Sequence, residues 1–246
     1  MASPHFHPKD RMMQKLLLAT ALAGGIAALS AIRPSAAAET VILAPPPMID
    51  APLAKAPGSE TAVLSGGCFW GMQVVFQHVK GVQKAVSGYT GGAADTAHYG
   101  NVSTGTTGQA ESLKITFDPS MISYGQLLRI YVSVATNPTE LNYQGPDHGT
   151  QYRGEIWAEN PQQRRIAQAY IRQLTADHAF AAPIVTRIDA ARPFYPAEGY
   201  HQNFATLHPD NRYIELYDAP KVNALARLFP GLYVSHAAIV AVGSAG

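Results

Sequence analysis

The sequence predicts an α+β fold, a ferredoxin-like β-α-β-β-α-β sandwich core with C-terminal extensions, on three observations. Apolar or alternating runs of strand length lie around Thr61, Gln83, Ser112 and Arg153. Two segments among them, one from Met72 and one from Ser123, repeat apolar residues every three to four positions, as amphipathic helices do. Glycine and proline mark the joints, and the resulting order is that of the split βαβ unit. With 246 residues, 47% of them hydrophobic and 14% charged, the chain supports one sizeable core.

Residues 1–38 have the pattern of an export signal. Lys9, Arg11 and Lys15 make a basic start, Leu16 to Ile32 is apolar, and Ala36-Ala37-Ala38 suits cleavage. The apolar stretch, roughly 17 residues with two central glycines, is at the short limit for a bilayer core of about 30 Å, which favours cleavage over stable membrane insertion. The expected destination is the bacterial periplasm. Residues 39–58 hold Pro45-Pro46-Pro47, Pro52 and Pro57 among alanines and are expected to be an extended linker. The catalytic domain is expected over 59–218, followed by a C-terminal tail, 219–246.

Thr61-Ala62-Val63-Leu64 reads as a strand, and Met72, Val75, Phe76 and Val79 form the apolar face of a helix closed by Lys80-Gly81. Between them stands Gly66-Gly67-Cys68-Phe69-Trp70-Gly71, with the one cysteine of the chain. A core cysteine needs no glycine pair before it, whereas a nucleophile approached by substrate needs a bare, tight turn. At a helix N-terminus, free N–H groups and the helix dipole favour thiolate, so a lowered thiol pKa is expected.

Gln83 to Tyr89 reads as the second strand, followed by a glycine-rich loop carrying Tyr99. Ser112 to Phe117 alternates and stops at Asp118-Pro119. Glu111 opens that strand among small and apolar neighbours, where desolvation would raise its pKa into the range of a general acid at neutral pH. Residues 123–135 read as a helix capped by Ser123, 137–151 as a long polar loop, and Arg153 to Trp157 as the fourth strand. Asn160-Pro161 starts a helix to about Ala176, and Ile184 to Ile188 reads as a further strand. The aromatic run Phe194 to Phe204 is expected to cover one side of a cleft.

Composition excludes several classes. Eighteen Lys plus Arg against seventeen Asp plus Glu, without a basic block, argues against nucleic acid as a partner. One cysteine excludes an internal disulfide, and the nine histidines show no metal-ligand spacing, so no metal and no bound cofactor is expected.

The motifs together resemble the A-type peptide-methionine sulfoxide reductases, specific for the S epimer. The likeness runs from Ala62 to Phe204. It rests on Gly-Cys-Phe-Trp-Gly, on Gly88-Tyr89-Thr90-Gly91-Gly92, on Gly108-Gln109-Ala110-Glu111 and on Asp147-His148-Gly149-Thr150-Gln151-Tyr152-Arg153, with Phe194-Tyr195, Ala197-Glu198 and His201-Gln202 adding to it. The resemblance implies that Cys68 attacks the sulfoxide sulfur and Glu111 protonates its oxygen. Tyr99 and Tyr152 would hydrogen-bond that oxygen, Asp147 would position the substrate, and Phe69 and Trp70 would enclose its S-methyl group. Its substrates would be oxidised proteins or free methionine sulfoxide.

Two departures stand out: Gln109 where many relatives have histidine, and Ser103 at a position where relatives can carry a recycling cysteine. A one-cysteine member is implied, whose sulfenic acid needs an external thiol, thioredoxin-like or glutathione-type. Two other readings compete: a cysteine hydrolase using His148 or His201 as base with Asp147 orienting it, and a non-catalytic binder of oxidised methionine.

Overall fold

The computed structural model describes residues 41–241; the export signal expected at 1–38 lies outside them. Strands β1 (Glu60–Ser65), β2 (Val82–Thr90), β3 (Ala110–Phe117), β6 (Glu155–Ala158), β7 (Arg187–Ala190) and β8 (Phe194–Pro196) form one sheet in the order β7-β6-β1-β3-β2-β8. The inner four strands have the order expected of the split βαβ core. All pairings are antiparallel except β6 with β7.

Alternation along the strands sends Ala62 and Leu64 of β1 and Leu113, Ile115 and Phe117 of β3 to a common core. Helices α1 (Phe69–Gln77), α3 (Tyr124–Ile130) and α4 (Pro161–Ala176) contribute Met72, Val75 and Phe76, Leu127 and Leu128, and Ile166, Tyr170 and Leu174 to the same core. Ser123 caps α3 in a reciprocal capping box with Gln126, and the chain continues through a π-turn over Tyr131–Ala135. The Asn160 side chain accepts from Gln163 N at 2.9 Å to start α4, with proline in its first turn.

Four expectations need correction. The proline-rich stretch at 41–58 is docked as a strap. Ala44 is fully buried and donates its N–H to Ser133 Oγ (3.0 Å), Pro45 and Pro46 carbonyls accept from Tyr170 and Gln173 (2.8 and 3.0 Å), and Asp50 accepts from Ser123 Oγ and Gly125 N (2.5 and 2.8 Å). Proline restricts the unfolded chain and brings no N–H to satisfy, so the stretch orders against another surface without a core of its own.

The domain also does not end at 218. Helix α6 (Ala219–Leu228) buries Ala224 and Leu225, and the chain beyond it bonds to the end of α1 through Val234 N to His78 O and Ala238 N to Gln77 O, each 2.9 Å. Third, the strand expected at 184–188 is β7, because its register is set by parallel pairing with β6, Ile156 opposite Ile188. Fourth, the polar loop at 137–151 contains a hairpin of β4 (Tyr143–Gln144) and β5 (Asp147–His148), and Tyr99 opens a short helix, α2 (Tyr99–Val102), rather than lying in a loop.

Candidate active site

Cys68 is the N-cap residue of α1, half-buried, and the two glycines before it are both required. A Cβ on Gly66 would lie 2.7 Å from Thr136 Oγ1, and Gly67 has φ +89 with Gln144 against it. Gly67 N–H donates to the Tyr152 carbonyl at 3.1 Å, which brings that residue's loop alongside the cysteine.

Glu111 reaches the same point from the sheet. It faces as Leu113 and Ile115 do, under α1, but at the end where the helix begins, and it is 2% exposed. Its Oε2 accepts the Phe69 N–H at 3.0 Å. Burial and then the nearby Asp147 charge raise the Glu111 carboxyl to about 8, against the opposing pull of that N–H. At neutral pH it is an acid with a proton to give, as expected.

The thiol differs from expectation. A Trp70 N–H favours its thiolate, but burial, then Glu111, Asp218 and Asp147, outweigh that and push Cys68 well above the ordinary cysteine value. A helix N-terminus contributes a partial charge only, and burial, which disfavours the charged thiolate, outweighs it here.

The remaining residues converge from separate elements. Tyr99 N–H and the Tyr89 hydroxyl bond to the two oxygens of Glu198, each at 2.9 Å, which ties α2 to β2. The Tyr99 and Tyr152 phenols both feel Glu111, Asp147 and Cys68. Burial first, then those groups, raise them, so they stay protonated donors. Asp147 is placed by the β4–β5 hairpin, which turns at Gly145 (φ 52) and is held by Gln144 bonding Asn137 N and O at 2.8 Å each.

Trp70 is clamped on several sides. It stacks on Phe204 (3.9 Å, 17°), meets the edge of Tyr213 (6.2 Å, 84°), and donates its indole N–H to His201 Nδ1 at 3.1 Å. Burial lowers the His201 pKa, which keeps Nδ1 able to accept. Phe69 is almost fully buried, its ring against those of Tyr89 and His201.

Sequence reasoning missed Tyr213, whose hydroxyl donates to Asp147 Oδ2, and Asp218, buried against Gly71. No local pattern marks either one. It also missed that Glu198 and His201, quoted as motif residues, hold Tyr99 and Trp70.

The hydrolase reading loses its base: His201 is committed to Trp70, and His148 is exposed and stacks on Tyr143. Among the described residues there is no cluster of three or more His, Cys, Asp or Glu able to hold a metal, and no helix long and apolar enough to cross a membrane.

Residues 60–230 match the family described as Peptide methionine sulfoxide reductase. Peptide methionine sulfoxide reductase MsrA 2 of Mesorhizobium japonicum is 64% identical over 178 residues, 72% of this chain and 91% of that protein. Among solved structures, methionine sulfoxide reductase A of Corynebacterium diphtheriae is similar with a TM-score of 0.53 and 30% identity, over 63% of this chain and 77% of that one. The reduced form of Mxr1 from Saccharomyces cerevisiae gives a TM-score of 0.57 and 25% identity, over 68% and 98%.

Proposed function

The chain belongs to the peptide methionine sulfoxide reductase family, and on that premise we propose which of its residues carry the reaction. The enzyme reduces methionine (S)-sulfoxide to methionine by attack of a cysteine thiolate on the sulfoxide sulfur. Cys68 is the nucleophile, Glu111 the acid, Tyr99 and Tyr152 the donors to the sulfoxide oxygen, and Trp70 the fixed apolar wall for the S-methyl group, with Phe69 beneath it. The observation that carries this reading is the meeting of Cys68 and the neutral Glu111 at one helix turn, linked through the Phe69 N–H.

Sulfoxide sulfur is a poor electrophile until its oxygen is protonated or hydrogen-bonded, so the acid and phenols act where charge develops. A sulfur–sulfur bond forms as the oxygen takes the Glu111 proton, and the proton leaving the thiol restores the carboxyl group; the hydroxyl then passes to the Cys68 sulfur as the substrate's S–O bond and the sulfur–sulfur bond break, and the thioether leaves with the electron pair. The net change is thiol plus sulfoxide to sulfenic acid plus thioether, with no proton released. Asp147, held by Tyr213, is assigned to substrate positioning.

With one cysteine in the chain, the sulfenic acid has no internal partner. An external thiol must reduce it, thioredoxin-like or glutathione-type, with access deciding between them. The test is a single turnover without reductant. One mole of methionine should form per mole of enzyme from the S epimer and none from the R epimer, and the protein should then gain the mass of one dimedone. An unlabelled protein at its reduced mass, after methionine has formed, would show that Cys68 does not keep the oxygen.

The segment from Lys9 to Ala38 supports export to an oxidising compartment. Mass spectrometry of protein from the source cells should find the mature N-terminus at Glu39. Recovery from cytosol with Met1 or Met12 intact would refute export.

A further inference from the structure

Arg153 closes the polar motif that begins at Asp147, and the proposed mechanism leaves it without a task. Its side chain is 8% exposed and donates to three stretches of chain at once. Nη1 bonds the carbonyls of Gln109 and Thr150 at 3.2 and 3.0 Å, Nη2 that of Gly108 at 3.0 Å, and Nε the Glu155 Oε2 at 2.6 Å. The guanidinium lies over the Trp157 ring, 5.8 Å from its centroid. Gly91 leaves room for it: φ is +113, and a Cβ there would lie 2.8 Å from Nη2.

These bonds join two backbones that the proposed chemistry needs side by side. Gln109 stands two residues before Glu111, at the entry to β3, and Thr150 two residues before Tyr152, in the turn Thr150–Tyr152. Trp157, with Val63 and Ala110, forms an apolar cluster apart from that of Leu64, Leu113 and Ile115. Strand alternation thus puts Trp157, and the guanidinium over it, on the face of the sheet away from α1. From there Arg153 acts through the backbone.

We propose that Arg153 is a positioning residue for sulfoxide reduction: by tying the carbonyls of Gly108 and Gln109 to that of Thr150, it sets Glu111 and Tyr152 at the spacing from which both reach one sulfoxide oxygen. The inference rests on the roles proposed above for those two residues. A planar fork of donors can meet several carbonyls in fixed directions, which the single ammonium of lysine cannot. Glu155, 1% exposed, balances the charge and fixes the Nε end of the fork.

The experiment measures sulfenic acid formation in single turnovers, up to saturating (S)-sulfoxide, for the full chain carrying Arg153→Lys or Arg153→Gln, each with and without Glu111→Gln. The lysine variant keeps the charge. The glutamine variant strands none, because Glu155, already raised to about 7 by burial, takes up a proton once the guanidinium is gone. Either change should lower the limiting rate about a hundredfold, the cost of misplacing a reacting group by about 1 Å. The half-saturating sulfoxide concentration should stay within about twofold, since the Trp70 wall is untouched. Alkylation of Cys68 by iodoacetamide should stay within about twofold as well. In the Glu111→Gln background the same change should slow the reaction less than about tenfold, because the acid that Arg153 aligns is already gone.

A limiting rate within about threefold of wild type in a folded variant overturns the proposal. So does a loss that multiplies in full with that of Glu111→Gln, or one accompanied by faster alkylation of Cys68, the mark of a loosened site. Failure of both variants to fold, judged by circular dichroism, would make Arg153 a folding residue and overturn it too. Glu111→Gln alone reports separately on the acid: if that variant by itself is unimpaired, it is the proposed mechanism that fails.

Discussion

Cys68→Ser is expected to abolish sulfoxide reduction with dithiothreitol in excess. The hydroxyl is nearly isosteric, so the N-cap position, the glycine turn and the Glu111 bond to Phe69 N–H survive. What is lost is the chemistry: a serine hydroxyl ionises far above any accessible pH and cannot be oxidised to a sulfenic acid equivalent. The other cleft residues can still bind and polarise a sulfoxide, so affinity for substrate should persist in the variant while turnover does not. Activity within tenfold of wild type would remove Cys68 from the mechanism. A folded, inactive protein that still binds methionine sulfoxide would also leave the thiol, rather than binding alone, as the source of function.

Glu111→Gln is expected to slow sulfenic acid formation in a single turnover by about 10²–10⁴-fold, the usual worth of general acid catalysis. Glutamine keeps a carbonyl oxygen to accept the Phe69 N–H, so the fold of the site is retained. The wild-type pH profile tests the same assignment independently. The acid form of Glu111 is the reactive one, and its pKa is raised to about 8. Its contribution is therefore present below that pH and lost as pH rises through it. In Glu111→Gln that alkaline loss should vanish, leaving a slow rate that increases with pH as Cys68, itself raised, ionises. An unchanged single-turnover rate, or an alkaline limb that persists in the variant, would place the proton donor elsewhere.

The two residues with the largest expected effects were legible from the sequence for different reasons. Cys68 announced itself through its neighbours: a glycine pair, two aromatics and a helix period starting immediately after it. Glu111 was marked by its place at the start of a strand among small and apolar neighbours, and by the resemblance; the structure then buries it on the face of Leu113 and Ile115. Tyr99 and Tyr152 entered through resemblance alone, and the structure brings both phenols into the electrostatic range of the thiol and its acid.

The strap and the tail were misjudged by a rule of composition. A proline-rich stretch with few large apolar residues lacks a core of its own, but Ala44 and the carbonyls of Pro45 and Pro46 complete surfaces that α4 and the π-turn present. Helix α6 was read as part of a tail although Ala224 and Leu225 are buried core residues.

The sequence by itself determined the order of elements, the capping of α3 and α4 and the glycine turn before Cys68, because each depends on periodicity or turn chemistry within a few residues; the roles proposed for Cys68 and Glu111 are those the resemblance implies. The tertiary structure alone set the direction in which the Cys68 thiol is shifted. Helix position argues for a thiolate, yet burial first, and then the carboxyl groups that a strand, the C-terminal helix junction and a hairpin bring near the sulfur, push the Cys68 thiol up. Charge and desolvation act through space and add over every element that packs against the sulfur. A linear pattern records the nearest of those contributions, the helix terminus, and carries no trace of the carboxylates that folding places beside it.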